Sequence, residues 1–158
     1  MYKKIVVVVI LLMLVTGCNN KVEEEKNEYL DTKAILETNS DFSDMDSFPC
    51  EVTVSLDRVD EESISYNVLF HDARENMNNL KILVIHNQYT EEVFPYIGLM
   101  DSKSRSLMIN SEDNKEINIK GSLESTNDID DLDLEFRIWM EYVDDSGDKH
   151  TVFYKTTI

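Results

Sequence analysis

The sequence predicts an all-β protein: an antiparallel sandwich of seven to eight strands, standing behind an N-terminal leader and a flexible acidic stretch. Three observations carry this. From Phe48 to the end of the 158 residues the apolar pattern has a period of two. No convincing helical stripe interrupts it. Clusters of Asp, Asn, Ser and Gly punctuate it at strand-length intervals, which is the spacing of a chain that folds back on itself repeatedly. A small closed barrel is the competing arrangement of the same strands.

The strands are taken in order. Glu51 to Leu56 and Ser63 to Phe70 alternate, the second placing Ile64, Tyr66, Val68 and Phe70 on one face. Leu80 to Ile85 is apolar almost throughout, which suits a central strand covered on both sides. Val93 to Ile97 contains Pro95, which removes a ladder donor and confines the segment to an edge or a loop. Ser106 to Ile109 and Glu116 to Leu123 read as shorter strands. The clearest alternation runs from Leu132 to Tyr142: Leu132, Leu134, Phe136, Ile138, Met140 and Tyr142 face one way, and Asp133, Glu135, Arg137, Trp139 and Glu141 the other. Asp144 to Asp148 is a hairpin turn with Gly147 free to take positive φ, and Thr151 to Ile158 returns as the partner strand. The strand number and spacing resemble an immunoglobulin-like or fibronectin-type-III-like module. The Cys, Trp, Cys signature of antibody domains is missing, because Trp139 comes late and Cys50 has no partner downstream.

Charge excludes whole classes of function. Fifteen Lys and Arg face 32 Asp and Glu, a formal charge of -17, and no basic cluster follows the first four residues. Nucleic-acid binding rests on cations that neutralise phosphates, so it is excluded. The four glycines are scattered, so neither a GxGxxG turn nor a Walker-type cradle can be built.

The amino terminus is the most specific signal. Lys3 and Lys4 precede eleven uninterrupted apolar residues, Ile5 to Val15, too few to span a bilayer and right for an export signal. Val15-Thr16-Gly17-Cys18 resembles the lipobox of bacterial lipoproteins. That resemblance implies cleavage between Gly17 and Cys18 and attachment of a diacylglyceryl group, with acyl chains of the palmitate type, to the Cys18 sulfur. Two chains meet the condition for lasting membrane attachment. Residues 1–17 are then the signal peptide, 18–48 a lipidated Cys and acidic tether, and 49–158 the sandwich domain. Within the tether, Val22 to Leu36 has helix formers and a weak stripe at Val22, Lys26, Tyr29, Lys33 and Leu36. Treated as flexible chain, the tether holds the domain roughly 30 Å off the bilayer.

Candidate chemistry is thin. With Cys18 lipidated, Cys50 is the one free thiol, expected to be buried at the start of the first strand with an acidic neighbour, Glu51. His71, His86 and His150 have no metal-ligand spacing, and no GxSxG elbow occurs. Asp128, Asp130, Asp131 and Asp133 form the densest acidic run and are the candidate Ca²⁺ ligands, the only cofactor the sequence suggests, although their spacing is not that of an EF-hand. The bland alternative is a solvated loop that protects sheet edges. Trp139 interrupts the polar face of its strand and is the candidate partner-contact residue, with Tyr96, Phe153 and Tyr154 as companions; packing under a loop is the alternative. These features predict a lipid-anchored, non-enzymatic module on the extracytoplasmic face of the cell membrane. Its partners would be the membrane, through the lipid, and an unidentified surface protein or a neutral or cationic ligand. The rival expectation is a small carboxylate-dependent hydrolase of cell-wall glycans.

Overall fold

A computed structural model describes residues 22–88, 98–101 and 103–158. Among them are seven strands in two antiparallel sheets, consistent with a β-sandwich. The strands are β1 (Glu51–Arg58), β2 (Ser63–His71), β3 (Asn78–His86), β4 (Gly98–Leu99), β5 (Glu116–Glu124), β6 (Glu135–Val143) and β7 (Lys149–Thr157). One sheet has the order β1-β2-β5, the other β4-β3-β6-β7. The expected Val93 to Ile97 segment, Tyr96 and residues 1–21 lie outside the described residues.

Alternation fixes which side chains meet between the sheets. Ile64, Tyr66, Val68 and Phe70 of β2 face Phe136, Ile138, Met140 and Tyr142 of β6, joined by Phe48, Cys50 and Leu134. Each fully buried aromatic or large aliphatic side chain contributes roughly 1.5–3 kcal/mol. Opposite Tyr66 the chain has Gly121, which leaves room for the phenol ring. The β6–β7 turn forms as expected, with Gly147 at φ +89.

Two expected strands change. Ser106 to Ile109 contributes only an isolated bridge, Leu107 to Met77, because Asn110 at φ +55 turns the chain away at once. β6 begins at Glu135, since Ile129–Asp131 forms a 3-10 turn and Leu132 packs against the core from outside the ladder.

The larger correction concerns the tether. Residues 22–38 form a helix, α1, laid on the outer face of the four-stranded sheet. Its buried positions are Tyr29, Thr32 and Leu36, with Glu25 half-buried one turn earlier, a spacing of four, three and four that makes a single stripe. Lys26, which the sequence places on that stripe, is exposed. Tyr29 and Leu36 pack with Leu83, Ile85, Met100 and Trp139, and with the half-buried Phe42 and Phe153. The sheet face supplies the reason: without α1 these apolar groups would lie open to water. Polar contacts fix the helix near its middle and at its C-terminal end. Lys81 pairs with Glu28, and Arg137 Nη1 donates to the Glu37 carbonyl at 2.7 Å. Beyond α1 the Ser43 amide donates to the Phe153 carbonyl of β7 at 2.8 Å, and the Arg137 and Lys155 cations sit over the Phe42 ring. Residues 22–48 are therefore part of the folded body rather than a spacer.

Candidate functional site

The acidic loop between β5 and β6 is the first place to look for ligand chemistry. Ile129 and Leu132 lie three residues apart across the 3-10 turn and pack against the core. That anchoring turns Asp128, Asp130, Asp131 and Asp133 outward, and all four are exposed. Arg58, at the end of β1, donates to the Ser125 carbonyl at 2.6 Å and to the Asn127 carbonyl. It borders an open depression of about 470 Å³ lined by Asp128, Ile129, Asp130 and Asp131. Here a cation already holds the loop backbone in place. Among the described residues, no three His, Cys, Asp or Glu side chains are grouped to hold a metal ion. The four aspartates share a loop but do not converge on a point.

Trp139 is only 6% exposed and lies beneath α1, so its apolar surface is taken up by the chain's own helix. Phe153 belongs to the same outer cluster, while Tyr154 is buried in the core and stacks obliquely on Phe48 at 5.1 Å. The expected aromatic contact patch is thus divided between two interior layers.

A denser constellation gathers at the β6–β7 turn. Asp144 Oδ1 accepts the Ser146 and Asp148 amides at 2.8 and 3.0 Å, shaping the turn. Its other oxygen lies 2.7 Å from His150 Nε2. The antiparallel register sets Tyr142 opposite His150, and their rings stack with centroids 5.0 Å apart. Tyr142 then donates its hydroxyl to Glu75 at 2.6 Å, and the adjacent Asn76 donates to Asp145 at 2.8 Å. The hydrogen bond to Asp144 raises the His150 pKa above its ordinary value, and the same bond, with the turn amides, lowers that of Asp144. Desolvation and the Glu75 carboxylate push the Tyr142 phenol upward. Asp144 and His150 bracket the turn in sequence, so their meeting follows from a hairpin register; Glu75 comes from a distant loop and gives no local signal.

The remaining candidates stay apart. His71 lies 2.7 Å from Asp72 and 3.0 Å from the Thr53 hydroxyl. His86 makes edge contacts with Tyr66 and Phe136, and burial lowers its pKa. Cys50 is fully buried, and that burial pushes its thiol up to about 12 despite the nearby Arg74 guanidinium. Arg74 itself braces the entry to β1, donating to the Met45 carbonyl at 2.6 Å and to the Phe48 carbonyl, and pairing with Glu51. Gly17 and Cys18 lie outside the described residues. No family model, curated protein or solved structure matches the chain.

Proposed function

We propose that the chain is a bacterial lipoprotein, anchored through Cys18 at the extracytoplasmic face of the cell membrane, whose sandwich acts by binding as an accessory module. The observation that carries this reading is the succession Lys3-Lys4, Ile5 to Val15, and Val15-Thr16-Gly17-Cys18. The fold of residues 49–158 is read as immunoglobulin-like or fibronectin-type-III-like. In support, the first, second and fifth strands share one sheet and the third, sixth and seventh the other, as in immunoglobulin domains, with the fourth on the edge of the third strand. Function does not follow from that architecture. Its expected partner is a surface protein or a neutral or cationic ligand, since the acidic surface repels polyanions.

Metabolic labelling with a fatty acid tests the anchor. Incorporation is expected in the wild type and lost in Cys18→Ala, which should accumulate as precursor; a Cys18→Ala protein that is still cleaved and membrane-bound would overturn the reading. Crosslinking on intact cells tests the binding role, and failure to recover any reproducible partner would count against it.

A further inference from the structure

The direction of α1, together with the short chain before it, specifies how the domain meets its membrane. Glu28 pairs with Lys81, near the start of β3, where Asn78 stands opposite Val143 and the β6–β7 turn. Glu37, at the other end of the helix, is held by Arg137, which pairs with Ile85 near the end of β3. The helix therefore runs from the β6–β7 turn toward the end that holds Arg58 and the 125–134 loop. Six residues separate Glu28 from Val22, about 9 Å of helix, and three separate Lys81 from Asn78, about 10 Å of strand. Val22 thus comes level with the β6–β7 turn. Four residues join Cys18 to Val22, and they can reach at most ~14 Å. The nine-residue strands set the opposite end roughly 30 Å farther on.

We infer that the β6–β7 turn end of the sandwich faces the bilayer and that the Arg58 end, with loop 125–134, is presented away from it. The inference rests on the lipid anchor at Cys18 proposed above. Charge sharpens the posture. The near end carries the exposed Asp72, Asp145 and Asp148 against Lys149, and the exposed side of α1 carries Glu23, Glu24 and Asp31 against Lys26, so both surfaces are net acidic. Anionic headgroups repel both surfaces within a Debye length of about 8 Å. Lying flat along α1 is opposed by that repulsion, so the domain stands on its turn end at the length its linker allows.

The test uses the mature lipidated protein in vesicles of phosphatidylcholine and phosphatidylglycerol, with lipid attachment verified by mass. A fluorophore is placed through Ser146→Cys at the turn or Thr126→Cys at the far end, and quenching by spin-labelled headgroups is measured. Cys50 is fully buried and should not compete for label. Several-fold stronger quenching at position 146 than at 126 is expected. Equal quenching, stronger quenching at 126, or no quenching at either site in lipidated, vesicle-bound protein overturns the orientation alone. Absence of the lipid mass removes the anchor reading and the inference with it.

Discussion

The ring of Tyr66 lies across the backbone of Gly121, so close that a methyl group at that glycine would come within 2.2 Å of the ring's hydroxyl end. The two residues face each other in the β2–β5 register, and the ring reaches from there toward His86 and Phe136. One strand thus gives up a side chain so that the other can deliver a large one to the core. Gly121→Ala is expected to cost about 1–3 kcal/mol or more through overpacking. Denaturant unfolding measures it. Coupling to Tyr66→Leu, which withdraws the ring, should make the double variant more stable than the sum of the single losses predicts.

Tyr66 carries a second expectation. Its hydroxyl is buried without a protein hydrogen-bond partner, and burial pushes its pKa up to about 12. Removing an unpartnered hydroxyl relieves desolvation, so Tyr66→Phe should be neutral or stabilise by up to about 1 kcal/mol. A clear loss of stability would show that the hydroxyl is satisfied after all.

The outer layer is tested at Leu36, which is fully buried against the sheet. Leu36→Ala is expected to cost about 2–5 kcal/mol. Leu36→Asp should lift α1 altogether, shifting the fluorescence of Trp139, the protein's single tryptophan, to longer wavelength while far-ultraviolet circular dichroism keeps its β signal. Unchanged emission would mean that something other than α1 shelters the indole.

A pH dependence follows from the turn. His150 has a raised pKa in the folded protein, so its contribution is complete below the ordinary histidine value of about 6.5 and disappears as pH rises through the folded value. Asp144 has a lowered pKa, so its contribution is complete above the ordinary carboxyl value near 4 and disappears as pH falls. The pair therefore stabilises most between about pH 4 and 6.5. The Tm difference between wild type and His150→Gln should peak in that window and shrink on both sides. A flat difference from pH 3 to 9 would contradict the pairing.

Thiol chemistry gives a simple check on Cys50. A thiol titrating at about 12 and shut in the core is almost wholly unreactive at neutral pH. Native protein should resist a disulfide reagent at pH 8, and denaturant should release the thiol in step with unfolding. Rapid labelling of the native state would place Cys50 in a mobile or open environment.

How much of this is legible in the sequence depends on the range of the interaction. Strands β2, β5, β6 and β7 are written in local alternation, because each residue's neighbour on the same face is two positions away. The uniform apolar run Leu80 to Ile85 and the misplaced Trp139 both announce that the second face of the larger sheet is covered. They do not say by what. The cover, α1, has a weak stripe of its own, since Glu25 and Thr32 occupy positions where an apolar residue would have declared it. At the turn, Asp144 and His150 are six residues apart and follow from the hairpin, whereas Glu75 reaches Tyr142 across 67 positions of chain. The acidic loop is a contrasting case: its composition suggests a shared ligand, whereas among the described residues its four exposed aspartates are not grouped to hold a metal ion.

The layer of α1 on the four-stranded sheet also dictates an order of assembly. The helix is synthesised first, yet Lys81, which pairs with Glu28, lies 53 residues downstream, and Arg137, which holds Glu37, lies 100 downstream. Until β6 and β7 have been made, α1 has no complete surface on which to dock, and closing so long a loop is slow. The nascent chain therefore emerges with α1 still undocked, and the last strands to arrive are the ones that lock the helix in place.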